Sequence, residues 1–178
     1  MRRLLCFFHS LRTYYWGSIL AKQDGLQLDP ELFYVMSVWH DIGLCDAHNH
    51  KDGISRCFAV EGGRSAGAFV REYGTEAQAQ QVEEAIISHL NLYIPISHGI
   101  EKSILPAATA LDVIGARIGE IQPDTILAVL ERYPRLSFKS DLIALFNHEY
   151  ATRPHSRIAF MQRVANLNRL IEQAPFAS

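Results

Sequence analysis

The sequence is poor in cysteine, has no long apolar run and carries no excess of positive charge. Its three cysteines, Cys6, Cys45 and Cys57, form neither a CxxC pair nor an even set, which argues against a disulfide framework and favours a reducing, cytoplasmic setting. No stretch approaches the roughly 20 apolar residues of a membrane-spanning helix, and the polar residues from His9 to Arg12 cut the apolar start too short for a signal peptide. Seventeen basic against nineteen acidic residues give a net charge of -2, which excludes the broad positive field typical of nucleic-acid-binding proteins.

The remaining composition is that of a globular domain. Apolar residues make up 48% and charged residues 20% of the 178 residues, close to the average for folded proteins. Apolar positions recur with helical spacing, and no segment shows the strict alternation of a half-buried strand. The sequence therefore predicts an all-α helical bundle in a single domain, residues 1-178, with a core over about 5–120 and C-terminal helices over about 123–173.

Capping residues mark where several helices begin. Asp29 is predicted as an N-cap with Pro30 in the first helical position, and Thr75 with Gln78 resembles a capping box. The segment 45–55 is rich in His, Asn, Asp and Gly and is predicted as a loop. The predicted helices cover residues 5–22, 30–44, 56–73, 75–89, 104–120, 123–133, 139–150 and 156–173.

The most informative pair of residues is His40-Asp41, which ends an otherwise apolar helix. A carboxylate buried there costs several kcal/mol unless it is paired with a cation. Imidazole nitrogen and carboxylate oxygen are both good ligands for zinc and similar divalent ions. For the dipeptide alone, the alternative is a core histidine beside an aspartate that hydrogen-bonds at the helix end.

The same anomaly recurs on two other predicted helices. His9 lies between Phe8 and Leu11, and Asp112 is a lone acid in the apolar segment 111–114. Each has an ordinary structural explanation when taken singly. Together His9, His40, Asp41 and Asp112 supply two neutral and two anionic ligands, a set suited to one divalent metal ion, with zinc favoured over iron, manganese or nickel.

The order His, then His-Asp, then Asp on successive helices resembles the HD-domain superfamily of metal-dependent hydrolases. Several further stretches are similar to the cyanamide hydratase branch of that superfamily. Two positions depart from the branch, which usually has glutamate at Ala59 and threonine at Leu90. The matching stretches are HSLRTY at 9–14, DPEL at 29–32, HDIGL at 40–44, FAVEGG at 58–63, AIISH at 85–89, LDVIG at 111–115, YPR at 133–135 and APF at 174–176.

The resemblance implies an HD-type helical bundle and an enzyme that activates a metal-bound water near neutral pH. The expected reaction is attack on a small nitrile such as cyanamide, hydrated to urea. One alternative is an HD-type phosphohydrolase acting on a nucleotide or another phosphoester, and a second is a non-catalytic helical module stabilised by its metal. Few basic residues accompany the ligands, which favours a small, weakly charged substrate; they are Arg12, Lys51, Arg56 and Arg64.

Two further residues are candidates for roles in catalysis or substrate binding. His89 falls on the buried face of its helix, seven residues after Val82, and is predicted to act in proton transfer and substrate binding together with Asp41. A core histidine bonded to a carbonyl is the alternative. Arg12, one turn beyond His9, is predicted to bind substrate or neutralise a ligand carboxylate, with a surface salt bridge as the alternative.

The expected partners follow from these features. A small-molecule substrate is expected, without nucleic acid or membrane, and a homodimer is favoured; the aromatic residues Tyr14, Tyr15 and Trp16 have two alternative roles, in self-association or in the core. His48, His50 and Lys51 are close enough in sequence to His40-Asp41 to reach the rim of the site, although a solvated loop is the alternative. His148 and His155 are predicted to lie at the surface.

Overall fold

The computed structural model describes residues 2–45 and 57–176, with side chains described from Phe7 onward. Within these ranges the fold is an all-α bundle of nine α-helices without a strand, as the helical periodicity predicts. Short 3-10 segments occur at Ile42–Leu44, Ile96–His98 and Ile118–Glu120. The helices are α1 (Arg2–Gln23), α2 (Pro30–Trp39), α3 (Phe58–Tyr73), α4 (Glu76–Ser88), α5 (Ile100–Ile114), α6 (Pro123–Arg132), α7 (Phe138–Thr152), α8 (Arg157–Ala165) and α9 (Leu167–Glu172).

Both predicted helix starts are confirmed. The Asp29 carboxylate accepts hydrogen bonds from the backbone amides of Glu31 and Leu32 at the start of α2. Thr75 accepts from the Gln78 amide while the Gln78 side chain accepts from the Thr75 amide, which completes the capping box of α4. Each cap satisfies backbone donors that have no partner inside the helix.

Three helix bounds differ from the predictions. Helix α2 ends at Trp39 instead of continuing to residue 44. Helix α5 runs from Ile100 to Ile114, whereas the prediction placed it at residues 104–120; Gly115, with a left-handed φ of 76°, ends it. The expected last helix is divided by Asn166, whose φ of 49° is left-handed and ends α8 before α9 begins.

The buried side chains form two hydrophobic clusters, and α1 runs between them. Trp16 on α1 belongs to the larger cluster with Phe33 of α2. The smaller cluster contains Phe58 and Phe138, and the His9 ring of α1 lies 4.7 Å from the ring of Phe138. His9 is therefore placed at the junction of the two clusters, where little water reaches it.

The aromatic residues of α1 divide between core and surface. Trp16 is fully buried, so it serves the core and not a surface for self-association, contrary to one of the two alternatives. Tyr14 packs against the larger cluster, and Tyr15 remains 39% exposed. In the described part of the chain, no helix is both long and apolar enough to cross a membrane.

Candidate metal centre

The site forms where α1 meets the end of α2. His9 comes from α1, while His40 and Asp41 follow the last residue of α2. Asp41 has φ -103° and ψ 9°, in the sparsely populated bridge region where many active-site residues lie. Gly43 then packs so closely on α3 that a Cβ atom there would overlap the carbonyl oxygen of Phe58. This close approach holds the chain just after Asp41 against α3.

Three side chains converge at this junction, and all three are buried. The Nε2 atoms of His9 and His40 are 3.1 Å apart. The Asp41 Oδ2 atom lies 3.5 Å from His9 Nε2 and 3.3 Å from His40 Nε2. His9, His40 and Asp41 thus form a group whose ligand atoms all lie within 4.8 Å of one another.

Hydrogen bonds place the proton of each neutral imidazole ring, His9 and His40, on Nδ1. His40 Nδ1 donates to the carbonyl oxygen of Ser37 at 2.7 Å, since a carbonyl can only accept. His9 Nδ1 donates to Asp112 Oδ2 at 2.7 Å. In the neutral rings each Nε2 atom therefore carries a lone pair, and the two lone pairs face each other across 3.1 Å. Such an arrangement is repulsive unless a proton or a metal ion lies between the nitrogens.

The distances fit a tetrahedral divalent ion. Ligand atoms bound at about 2.0 to 2.1 Å in tetrahedral geometry are about 3.3 to 3.4 Å apart. The three separations among His9, His40 and Asp41 are 3.1, 3.3 and 3.5 Å. Two neutral imidazoles and a carboxylate are also a donor set that zinc binds readily. These residues therefore fit one metal ion, with a coordination position remaining for water or substrate.

The electrostatics of the group favour a bound cation. Burial opposes charge on Asp41, yet His40 and the other nearby imidazoles hold the pKa of its carboxyl well below the usual range. Burial also opposes charge on His40, but the Asp41 carboxylate outweighs it and raises the His40 pKa. Burial lowers the pKa of His9 despite its bond to Asp112. The aspartate is thus ionised in a dry site, where a positive charge is the stabilising partner.

Asp112 was predicted as a fourth metal ligand, but the structure does not place it in the group of His9, His40 and Asp41. It contacts His9 through Nδ1, the edge of the ring that points away from His40 and Asp41. Its two oxygens accept five hydrogen bonds, which use the roughly four lone-pair sites of a carboxylate completely. The donors are His9 Nδ1, Arg12 Nε, Arg12 Nη2, Trp16 Nε1 and Arg135 Nη1. Asp112 orients the His9 ring, as carboxylates commonly do behind a metal-binding histidine.

Of the two roles predicted for Arg12, the structure fits neutralisation of a carboxylate, that of Asp112, and does not place Arg12 where it would bind substrate. Its guanidinium pairs with both oxygens of Asp112 at 2.8 and 2.9 Å. The Nη1 atom donates to the carbonyls of Tyr133 and Pro134, and the side chain is completely buried. The cavity beside the candidate ligands does not include Arg12 among its lining residues. The surface salt bridge, its alternative, is equally excluded by this burial.

Sequence reasoning missed two partners of Asp112, Arg135 and Trp16. Arg135 donates to Asp112 at 3.0 Å and stacks over the rings of Phe138 and Phe176. It follows the Tyr133-Pro134 break, where helical periodicity gives no information about the direction of a side chain. The Trp16 indole falls one turn beyond Arg12, and the available signal was the spacing of His9, Arg12 and Trp16, three and then four residues apart on one helix face.

His89 lies beside the three candidate ligands, as its helical position predicts. Its Nε2 atom is 3.7 Å from Asp41 Oδ1. The other carboxylate oxygen of Asp41, Oδ2, is the one that faces His9 and His40. His89 Nδ1 donates to the Ile86 carbonyl at 2.6 Å, so Nε2 again carries the lone pair. Burial, followed by the charge of His40, lowers the pKa of His89 to about 4. The ring is therefore neutral at pH 7, with an unprotonated Nε2.

A cavity of about 320 Å³ opens onto this group, with His9, His40, Asp41 and His89 in its wall. Leu90, one of the two departures from the family pattern, also lines it. Ala59, the other departure, is buried in the smaller hydrophobic cluster. His148 and His155 are exposed, as predicted. The predicted rim residues His48, His50 and Lys51, and the basic residue Arg56, lie outside the described residues.

Fold and site together define the class of protein: an all-α bundle with a buried His-His-Asp group at the end of a cavity. The chain is similar to two cyanamide hydratases of Saccharomyces cerevisiae, DDI2 and DDI3, with 31% identity to each over 154 residues. The alignment covers 82% of this chain and 66% of each relative, so the chain spans just under two thirds of their length. This similarity supports the cyanamide hydratase branch. No family model matches the chain, and membership of the HD-domain superfamily stays a prediction.

Proposed function

We propose that the protein is a metal-dependent hydratase that adds water to a nitrile such as cyanamide, with urea as the product. The observation that carries this proposal is the convergence of His9 Nε2, His40 Nε2 and Asp41 Oδ2, spaced by 3.1 to 3.5 Å, at the wall of a cavity. A divalent ion held by these residues, most simply zinc, supplies activation of water near neutral pH. The similarity to the yeast cyanamide hydratases supports a nitrile as the substrate.

Residues of the chain itself orient the candidate ligands and transfer the proton. Asp112 and the Ser37 carbonyl hold the rings of His9 and His40 with their Nε2 atoms turned inward. His89 has its unprotonated Nε2 toward Asp41, so it can take a proton from the attacking water and pass it to the nitrile nitrogen. The water oxygen bonds to the nitrile carbon, one π bond of the C≡N group breaks, and the nitrogen gains the proton; the remaining hydroxyl proton then moves from oxygen to nitrogen, which gives the C=O group of urea. No leaving group is needed.

The surroundings do not favour the phosphohydrolase alternative. Phosphoester substrates need cationic groups that remain available to the phosphate oxygens. Arg12 and Arg135 are committed to Asp112. Arg117, in the cavity wall, pairs with two acidic side chains, Asp24 and Glu120. The described arginines that line the cavity or hold Asp112 are thus already paired with carboxylates, which fits a substrate without charge.

A substrate screen on metal-loaded protein tests the proposal. Cyanamide and other nitriles are compared with nucleoside monophosphates and a generic phosphoester. Release of urea or amide without phosphatase activity is expected, and it should disappear in Asp41→Asn but persist in Asp124→Asn, a matched change at an exposed aspartate. Phosphate release alone would instead identify a phosphohydrolase. Silence toward every substrate in protein with its metal bound would leave a non-catalytic metal-stabilised module.

A further inference from the structure

The cavity beside the metal ligands is mostly apolar. Its polar end is formed by His9, His40, Asp41 and His89, and the walls extend away from that end along four helices. Apart from Thr109, the wall residues from these helices carry only hydrocarbon or thioether side chains. They include Ala110 and Val113 of α5, Phe146 of α7, Met161 of α8, and Leu167 and Leu170 of α9.

The few polar side chains in the walls already have partners within the protein. Thr109 donates its hydroxyl to the Pro106 carbonyl at 2.9 Å. Asn91 accepts a hydrogen bond from Arg157 through its side-chain oxygen. Arg117 is held by the carboxylates of Asp24 and Glu120. Apart from the Asn91 amide nitrogen, these polar groups are therefore bonded within the protein, so the described walls contact a ligand mainly through apolar side chains and the titratable end is that of His9, His40, Asp41 and His89.

The cavity is also much larger than cyanamide, which has three non-hydrogen atoms. At the roughly 30 Å³ that one water molecule takes in the liquid, those atoms need at most about 90 Å³. The cavity volume of about 320 Å³ is more than three times that. An apolar cavity of about 150 Å³ is enough to bind benzene, so this one has room for a nitrile group and a substituent of that size.

We propose that the favoured substrate is a nitrile with an apolar substituent, in total about six to ten non-hydrogen atoms by the same volume estimate. The nitrile group lies at His9, His40, Asp41 and His89, and the substituent fills the space between Ala110, Met161 and the two leucines of α9. Substituted cyanamides and alkyl or aryl nitriles share this chemistry. The inference rests on the proposed nitrile hydration and names the class of substrate for that site.

A graded series of substrates tests the inference on metal-loaded full-length chain. Cyanamide, its N-alkyl derivatives of increasing length and phenylacetonitrile are compared by kcat/KM and, independently of turnover, by calorimetric binding. Each added methylene is expected to lower the dissociation constant about fourfold until the cavity is full. Cyanamide hydration without any gain for longer compounds would overturn the inference and leave the proposed function standing. Binding of the longer nitriles without hydration of any nitrile would support the apolar ligand class and overturn the proposed function.

Two substitutions place the effect in the cavity. Ala110→Leu fills space in the wall, and the ratio of kcat/KM for phenylacetonitrile to that for cyanamide is expected to fall about tenfold, within the range for one or two methylenes in an apolar pocket. Leu170→Trp is a second test. This variant is expected to fold more readily, because Leu170 is 36% exposed. Ala77→Leu, at an exposed position of α4, is the matched control. An unchanged ratio in both cavity variants would overturn the inference.

Discussion

The Nε2 atoms of His9 and His40 lie 3.1 Å apart although the opposite nitrogen of each ring already donates a hydrogen bond. Two neutral imidazoles in this tautomer present lone pairs to each other. Asp41 adds a carboxylate oxygen 3.3 Å from one nitrogen and 3.5 Å from the other. The protein therefore holds three electron-rich atoms around one point, and a cation at that point relieves their repulsion.

Asp41→Asn is expected to weaken metal binding at least about 100-fold, because a ligand contributes more than the outer partners whose loss costs 10 to 100-fold. The amide is nearly the same size but has neither the negative charge nor a second equivalent oxygen. Metal bound per chain after gel filtration is the measurement, with Asp124→Asn as the exposed control. Retention of a full metal complement by Asp41→Asn would remove Asp41 from the ligand set.

His89→Ala should keep its metal and lose about 10²- to 10⁴-fold in kcat, the usual contribution of a general acid or base. The reason is that His89 Nε2 lies 3.7 Å from the far oxygen of Asp41 and is not a member of the three-residue group. Metal content and urea release are measured on the same sample, and His148→Ala on the exposed side of α7 is the control. Full activity would leave His89 as a core histidine bonded to a carbonyl.

Asp112→Asn distinguishes a residue that orients His9 from a fourth metal ligand. Both oxygens of the Asp112 carboxylate already accept hydrogen bonds from protein donors, five in all. We therefore expect metal affinity to fall 10 to 100-fold, the typical cost of losing an outer-shell partner, while saturating metal still fills the site. Affinity is measured by competition with a chromogenic chelator in protein shown to be folded by circular dichroism. A site that no concentration of metal fills would restore Asp112 as a ligand.

Arg12→Met is expected to destabilise the protein by about 3 to 5 kcal/mol, because it leaves the Asp112 charge with one fewer buried partner. Arg12→Lys should rescue little, since a single ammonium group cannot reproduce the two-point contact. Urea unfolding monitored by far-UV circular dichroism measures the change. Arg71→Met, which breaks an exposed salt bridge on α3, should have a much smaller effect. Equal effects at the two arginines would contradict the assigned role of Arg12.

Much of the fold follows from local signals in the sequence. Asp29 and Thr75 predict the starts of their helices correctly, because a capping side chain bonds only to backbone amides within three residues. His40-Asp41 stood out because a charge at the end of an apolar helix needs a partner. The start of α5 at Ile100 was not predictable in this way, because its N-cap is Gly99, which has no side chain to accept a capping hydrogen bond.

The candidate site was predictable in its residues but less so in their roles. The pattern singled out Asp112 as a lone acid on an apolar helix and named Arg12 as a candidate partner of a ligand carboxylate, and both are buried. What no spacing reveals is that their side chains meet each other and Arg135, a contact that joins residues more than 20 positions apart. Whether a residue is a candidate metal ligand or a partner that orients His9 depends on which ring nitrogen of His9 it contacts. That contact is determined by how the helices pack and not by sequence spacing.

The most direct test is a titration of metal-depleted protein with zinc, following bound metal and cyanamide hydration together. The account predicts that urea release rises in proportion to bound zinc, reaches its maximum at about one equivalent per chain and is abolished by a chelator. Hydration of cyanamide at full rate by metal-free protein, or failure of His9, His40 and Asp41 to retain any divalent ion, would contradict it.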